Sequence, residues 1–411
     1  MKIFHVTQFN NILNFIYIGL IKFLNIGSKY ILVSYLIRVL GENGYGTLTW
    51  VDSIVQYFLM IVNFGFEIYA AKYVVENINN RQKLYEAIST IYYIKGILLI
   101  FCFFLLIPLS FNSQINSYNN LIFVMLGLGI GEVLMPIWFF QGIEKMKIIT
   151  FVTFITKLIL ILITFLFVKS VRDMLLYIYF IVIINFIWGL LGYLMMKKEI
   201  EFKFVKISLN LIKNYFKESY LFFIGKFATF IFNIGTLFLI GYLFSKGNVA
   251  GFDISIKIIF VFIIPFEVLQ QFLFPKVVKG LSLLKLRKII ILTLIISIFI
   301  SLLIFCYSKQ ILCVFGGIEM VKYSYILNIC LILIPIVSLT TIISNCNMIA
   351  KGYYKLFNWS IIFTSVIFIV LILFMSFFGI LSFVNLIIVR VMIDLLQLLI
   401  RVYFSFKYKI I

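Results

Sequence analysis

The sequence contains very little of what soluble enzymes use for chemistry in water. It has one histidine, His5, and charged residues make up only 12% of its 411 residues, whereas hydrophobic residues make up 64%. The five cysteines form no Cys-x-x-Cys pair and have no metal-like spacing. Histidine-based catalysis therefore has no candidate residue in an apolar segment, and we predict no metal ion, no cofactor and no enzymatic activity.

Long polar stretches are equally scarce. A chain with a mean hydropathy of +1.16 cannot bury its apolar surface in one water-soluble domain, so its solvent must be a bilayer. Its apolar runs are continuous rather than alternating, which excludes a membrane barrel and predicts helical spans. The first run has no cleavage pattern behind it and is expected to be a retained helix. The fold class is thus an all-α polytopic membrane protein with about 12 transmembrane helices, predicted at 12–39, 46–71, 85–109, 119–141, 148–168, 174–196, 219–245, 249–273, 289–308, 323–349, 357–378 and 381–404.

The distribution of lysine and arginine between alternate loops predicts the orientation. One set of loops holds 22 of these residues, among them Lys2 and Arg401, and the other set holds 6. Because cytoplasmic loops carry the excess of basic residues, both termini are expected in the cytoplasm, with the chain in the bacterial inner membrane. The net charge of +20 lies mainly in these loops, so anionic lipid explains it and no nucleic acid partner is predicted.

The longest polar connection predicts two lobes. It divides the spans six and six, giving an N-terminal lobe at 1–196, a basic cytoplasmic linker at 197–218 and a C-terminal lobe at 219–411. Asn25-Ile-Gly27 in the first span recurs as Asn233-Ile-Gly235 in the seventh, and each is followed by a predicted outer glycine-rich turn, at 41–46 and 247–252. Parallel repeats of this kind are typical of transporters whose binding site is a central cavity between the halves.

Thirteen ionisable residues fall inside predicted spans. Each costs at least about 2.5 to 3.5 kcal/mol in hydrocarbon, so such groups usually face a bundle interior or a wet cavity. The bases are Lys22, Lys29, Lys95, Lys157, Lys226, Lys257 and Arg390, and the acids are Asp52, Glu67, Glu132, Asp253, Glu267 and Asp394. Helical spacing places three sets on shared faces: Lys22, Asn25 and Lys29; Asp52, Gln56, Asn63 and Glu67; and Arg390, Asp394 and Gln397.

Two interpretations of these charges stay open. A cationic stripe suits an anionic headgroup, and Lys22 and Lys29 have no acid at helical spacing, which favours binding. In contrast, Asp253 with Lys257 and Arg390 with Asp394 are i, i+4 pairs whose members could simply neutralise each other.

The remaining charges and one aromatic run have simpler interpretations. Lys95 and Lys157 are expected to extend to the membrane surface, while structural pairing is favoured for Glu132 and Glu267 over a proton or cation site. Trp138-Phe-Phe-Gln141 is expected to form an interfacial aromatic belt.

Several motifs resemble one known family. They are Arg38-Val-Leu-Gly-Glu-Asn-Gly-Tyr-Gly46, Phe64-Gly-Phe-Glu-Ile-Tyr-Ala-Ala71, Trp138-Phe-Phe-Gln-Gly-Ile-Glu-Lys-Met-Lys147, Ala250-Gly-Phe-Asp-Ile-Ser-Ile-Lys-Ile258 and Phe274-Pro-Lys276. These runs are similar to the Wzx-type O-antigen and polysaccharide flippases of the MOP superfamily, which share the MATE-like fold. The resemblance extends over most of the chain, and the run from Trp138 is its most specific part.

The resemblance implies a function and a site. It implies two six-helix lobes around an electropositive central cavity, and export of undecaprenyl-diphosphate-linked oligosaccharide by alternating access for O-antigen, capsule or exopolysaccharide. The cavity cations would be Lys22, Lys29, Lys226, Lys257 and Arg390, and the coupling or gating acids would be Asp52, Glu67, Glu132, Asp253 and Asp394. Membrane lipid is a further partner, and H⁺ or Na⁺ and other polysaccharide-assembly membrane proteins are additional candidates. The six acids nearly balance the seven bases, which departs from a strongly cationic cavity.

Two rival functions follow from the same sequence. A cation-coupled multidrug exporter of the MATE type would share the fold but favour acidic cavity residues. A membrane sugar polymerase would need a sizeable external loop with catalytic residues, whereas the longest predicted external loop, from Lys309 to Lys322, holds only Glu319 as an acid. The polymerase therefore ranks below transport.

Overall fold

The computed structural model describes residues 2–408 and, within them, the side chains of residues 30–344 and 346–408. In this range the chain is helical and has no strand, so the all-α prediction is confirmed. The α-helices are α1 Lys2–Asn63, α2 Phe66–Glu76, α3 Arg81–Leu109, α4 Ser113–Asn116, α5 Asn119–Leu126, α6 Leu128–Leu134, α7 Ile137–Gly142, α8 Met146–Phe167, α9 Met174–Ile200, α10 Leu209–Leu243, α11 Lys246–Val278, α12 Leu283–Cys306, α13 Ser308–Gly316, α14 Ser324–Cys330, α15 Leu333–Thr341, α16 Tyr354–Phe377 and α17 Phe383–Lys407. Two 3₁₀-helices, Val171–Asp173 and Ile318–Tyr323, and a π-helix, Ile342–Ile349, lie between them.

The described residues include ten helices that are long and apolar enough to cross a membrane. An eleventh span results if the pair Ile318–Cys330 and Leu333–Ile349, bent by 47°, is counted as one. Large apolar side chains face outward along these helices, for example Phe104 in α3 and Leu302 in α12. Such surfaces require lipid, and the chain is a multi-pass membrane protein. The predicted count of twelve spans is not confirmed.

The bent pair accounts for one span of the difference, and the segment Tyr30–Glu76, which corresponds to parts of the first two predicted spans and is counted as one, accounts for the other. The prediction placed a turn at 41–46, but helix continues through this region, and the chain changes direction at one residue, Gly41, with φ 68° and ψ 175°. Only glycine adopts this conformation readily, because it has no Cβ. The second predicted outer turn, 247–252, is likewise helical: α11 begins at Lys246, one residue after the Ser245 N-cap.

A second break divides the predicted helix at 46–71. α1 ends at Asn63, Phe64 and Gly65 have φ values of 39° and 74°, and α2 follows at Phe66. The prediction that Asp52, Gln56, Asn63 and Glu67 share one helical face is therefore wrong for Glu67, which lies beyond the break.

The helices form two compact units. The first contains Met1–Leu40 and Val51–Lys226, and the second contains Gly41–Trp50 and Phe227–Ile411. The helix-free part of the connection that was predicted as a linker covers only residues 201–208, and the assignment of lobes at 1–196 and 219–411 stays a prediction.

An aromatic core fills the first unit where α2, α3, α7 and α8 meet. Trp138, Phe139 and Phe140 of α7 are at most 2% exposed and pack with Phe66 and Ile88. The prediction that this run forms an interfacial belt is wrong, because α7 is too short to span and its aromatic side chains are turned into the core.

Glycines let α6 and α9 approach closely. A Cβ at Gly189 would lie 2.4 Å from the carbonyl oxygen of Gly131, and a Cβ at Gly131 would lie 1.9 Å from the side-chain oxygen of Asn185. Close backbone approach at small residues is a principal source of helix association in membranes. This pair therefore fixes the position of the broken span that contains α6.

We expect Gly189→Val to destabilise the protein by about 1–3 kcal/mol, the usual cost of overpacking, because the rigid Gly131 backbone cannot move aside. Thermal unfolding in detergent, followed by tryptophan fluorescence, measures the change. Gly96→Val in α3 is the matched control, since a Cβ there has no neighbour within 4 Å. Equal melting temperatures for the two variants would contradict the close-packing argument.

Candidate functional site

The first unit encloses a buried lysine. Lys95 of α3 is 1% exposed, and its ammonium donates to the side-chain oxygen of Asn63 at 2.8 Å and to the carbonyl of Glu132 at 3.4 Å. Asn63 in turn donates to the Glu132 carboxylate at 3.5 Å. Glu67 lies near enough to act electrostatically on the ammonium. These four residues, the Lys95 network, join α1, α2, α3 and α6.

The Lys95 network tests the predictions made for Lys95 and for Glu132. The expectation that Lys95 extends to the membrane surface is wrong, because its side chain points into the unit, where Asn63 and Glu132 satisfy it. Structural pairing of Glu132 agrees with the prediction. The signal for this arrangement was already in the sequence, since Asn63 and Glu132 both fall in apolar runs.

The second unit contains a tyrosine-linked ion pair. Asp253 of α11 is 6% exposed and accepts from the Tyr45 hydroxyl and, at 2.6 Å, from the Lys257 ammonium. Lys257 also donates to the Tyr45 oxygen at 2.8 Å. Composition did not single out Tyr45, which ties segment 41–50 to α11.

A third network surrounds Arg390 of α17. Its guanidinium donates to Asp394 and to the side-chain oxygen of Asn233 in α10, and lies 4.9 Å from the centre of the Phe232 ring. Arg390 and Asp394 are 6% and 8% exposed, so water does not screen the pair. Asn233 is the asparagine of the repeated Asn-Ile-Gly motif, and here it stabilises a buried cation.

Arg401 is a buried cation that sequence reasoning missed. It was assigned to a cytoplasmic loop, but it lies within α17, is 4% exposed, and donates to Ser360 at 2.9 Å and Ser344 at 2.6 Å. Its position continues the face of Arg390, Asp394 and Gln397 by one further turn, a spacing that would have identified it.

Within the second unit, the predicted site residues form two hydrogen-bonded networks. Lys257 and Arg390 belong to different networks, each with an acid four residues away, as the pairing interpretation expected. Lys226 is exposed, and Asp52 accepts from Gln56 at 3.1 Å within α1. The side chains of Lys22 and Lys29 lie outside the described residues, so the assignment of the cavity cations stays a prediction.

The described residues contain no group of three histidine, cysteine or acidic side chains that could hold a metal ion. Cys102, Cys330 and Cys346 are buried as free thiols. The side chains of the three networks can support charge pairing, hydrogen bonding to phosphate or sugar oxygens, and proton binding at the acids.

Comparison with known proteins identifies the family. The model of the polysaccharide biosynthesis protein family matches residues 12–272. The chain is similar to two proteins described as candidate O-antigen transporters. One, from Escherichia coli strain K12, is 23% identical over 58% of each chain, and one, from Shigella dysenteriae, is 25% identical over 58% of this chain and 61% of the relative. The aligned region thus spans about three fifths of these relatives.

Solved structures share the fold. The lipid II flippase MurJ, in an inward closed conformation, matches with a TM-score of 0.74 at 14% identity over 97% of this chain and 87% of MurJ. A multidrug resistance MATE family transporter of the MOP superfamily matches with a TM-score of 0.70 at 11% identity, over 97% of this chain and 98% of the transporter. The predicted resemblance and the MATE-like fold are confirmed, and the named proteins are transporters and a flippase rather than enzymes.

We expect the effects of substitutions at Lys95 and Asn63 on stability to depend strongly on each other. Asn63→Leu leaves a buried ammonium without its nearest acceptor and should destabilise the protein by about 2 kcal/mol, the scale of a hydrogen bond to a charged group. Adding Lys95→Met removes the orphaned charge and should recover part of that loss. Thermal unfolding of both single variants and the double variant completes the cycle. Additive losses would show that the two side chains do not depend on each other.

Proposed function

This chain belongs to the polysaccharide biosynthesis protein family, and from that premise we propose that it is a flippase for lipid-linked oligosaccharide. The substrate would be the undecaprenyl-diphosphate-linked repeat unit of a surface polysaccharide, moved from the cytoplasmic to the outer leaflet of the inner membrane. Transport would proceed by alternating access, with both termini in the cytoplasm. The observation that carries the proposal is the family match over a chain that retains basic side chains inside its membrane helices.

The basic residues suit a diphosphate. Lysine and arginine bind phosphate oxygens through charge-assisted hydrogen bonds, which strengthen where water is excluded. We assign this role to Lys22, Lys29, Lys226, Lys257 and Arg390. Lys257 and Arg390 each contact a carboxylate, so a phosphate would have to exchange with Asp253 or Asp394. In that exchange the two acids would control access of the phosphate to Lys257 and Arg390.

The remaining acids could couple transport to the movement of an ion. Asp52, Glu67 and Glu132 are the candidates for H⁺ or Na⁺ exchange, and Glu132 already shares Asn63 with Lys95. No covalent step is needed, because the barrier to flipping is the loss of hydrogen bonds by the sugars in bare hydrocarbon. Polar side chains along the path would replace those hydrogen bonds while the polyprenyl chain stays in lipid.

Deletion of the gene tests the function in cells. In a strain without a second flippase, we expect lipid-linked repeat units to accumulate on the cytoplasmic face and surface polysaccharide to be lost. The wild-type gene should restore export, whereas Lys29→Ala and Lys226→Gln should reduce it at normal protein levels. Lys213→Gln is the matched control, because Lys213 is likewise exposed on α10 but lies outside the proposed site. Normal polysaccharide after deletion would reject the proposal and favour a multidrug exporter.

The membrane potential should drive the transport. A potential that is negative inside favours outward movement of an anion by about 2.3 kcal/mol per charge per 100 mV, so a doubly charged diphosphate gains about twice that. Dissipating the potential at constant pH and sodium should therefore slow flipping in cells or vesicles. Unchanged flipping would reject the electrical drive and leave exchange at Asp52, Glu67 or Glu132 as the source of energy.

A further inference from the structure

A cavity of about 710 Å³ lies at the end of α9, apart from the three charged networks. One wall is the last turn of α9, which contributes Lys197 and Lys198. The opposite wall is the return segment, residues 201–208, in which the chain reverses at Glu201 with φ 55° and continues without helix. Lys203 and Phe204 of the return segment also line the cavity.

The return segment is held in place by α3. The Tyr85 hydroxyl donates to the carbonyls of Ile200 and Glu201 at 2.7 and 3.1 Å, and the Val205 amide donates to Ser89 at 3.2 Å. Phe202 is 3% exposed and its ring packs against Tyr85 at 5.7 Å. These contacts hold the return segment in one position in the absence of a ligand, which lowers the entropic cost of binding.

The charges around the cavity are unbalanced. Lys197, Lys198 and Lys203 line it, and none of them forms an ion pair within the described part of the chain. Glu201 is the acid among the lining residues, and its carboxylate is engaged by Arg81 at 3.0 Å. Like charges that converge on one cavity repel each other, so an anion placed there is attracted by all three.

The same cavity has an apolar edge. Leu194 and Phe204 line it and are 48% and 64% exposed, and Leu194 lies on the lipid-crossing helix α9. The basic residues begin where α9 leaves its apolar stretch, the level at which phospholipid headgroups lie. A soluble anion would use the lysines alone, whereas a phospholipid would use both the lysines and the apolar edge.

We propose that this cavity binds an anionic phospholipid, with its phosphate among Lys197, Lys198 and Lys203 and an acyl chain along Leu194 and Phe204. The inference goes beyond the proposed transport function and does not depend on it. The lipid would hold the end of α9 and the return segment at the membrane surface.

Binding to purified protein in detergent tests this site, with fluorescent phosphatidylglycerol as the probe and fluorescent phosphatidylcholine as its neutral counterpart. We expect the wild type to prefer phosphatidylglycerol. Lys197→Gln/Lys198→Gln/Lys203→Gln should weaken its binding by about a hundredfold, because each of the three lysines contributes an attraction of about fivefold. The three side chains are exposed, so the variant should fold.

Lys206→Gln/Lys213→Gln/Lys217→Gln is the matched control, because it removes the same charge from neighbouring residues that do not line the cavity. Equal weakening in the two triple variants would overturn the proposal in favour of non-specific attraction. Phe204→Ser should also weaken phosphatidylglycerol binding. Displacement of the lipid by an equimolar amount of inorganic pyrophosphate, with no effect of Phe204→Ser, would show a soluble phosphate site and overturn the lipid assignment. Because no flipping is measured, the result is independent of the transport proposal.

Discussion

The structure depends on one constraint: a charged group inside hydrocarbon must find its hydrogen bonds within the protein. Lys95 finds its hydrogen bonds at Asn63 and Glu132. Asp253 is hydrogen-bonded by Tyr45 and Lys257. Arg390 is hydrogen-bonded to Asp394 and Asn233. The contacts of Lys95 with Asn63, of Asp253 with Tyr45 and of Arg390 with Asn233 join segments that are far apart in sequence. Without them the helices would be held mainly by van der Waals packing, because lipid tails are as apolar as the side chains that face them.

The same networks bear on how a transporter can operate. A buried ion pair adds little net stability, because the cost of removing its charges from water offsets their attraction. Such a pair is therefore a contact that a competing anion can exchange into. Lys257 and Arg390 are each held by an acid one helical turn away, so a phosphate that approaches either one meets a carboxylate already bound there. Under the proposed function, the residues that balance charge inside the membrane would also select an anionic substrate.

The sequence was sufficient for features set by composition and periodicity. Continuous apolar runs located most of the spans, and i, i+4 spacing predicted the pairing of Asp253 with Lys257 and of Arg390 with Asp394. It was insufficient where one residue decides the backbone path. Segment 41–46 contains three glycines, and the sequence does not indicate that the break is confined to Gly41, so a longer turn is predicted there.

The sequence was also insufficient to predict whether a side chain points into the protein or toward the membrane surface. Trp138 suits an interface as well as a core, and Lys95 suits the membrane surface until Asn63 is seen beside it. The loop tally counts Arg401 as cytoplasmic, although the residue falls within the predicted span 381–404 and continues the helical face of Arg390. For Trp138 the deciding information is which neighbouring helices pack around its side chain, and a single sequence does not contain it.

Residues 41–50 belong to the second unit although they precede most of the first in the chain, and this has a consequence for synthesis. Tyr45 and Asp253 are separated by 208 positions. At about 5–20 residues per second, a ribosome needs roughly 10–40 s to make the chain between them. During that interval Tyr45 is without its acid, while most of the first unit is synthesised. A gene divided after the first unit would therefore separate Asp253 and Lys257 from their tyrosine, and the second unit would lack a part that only the first fragment encodes.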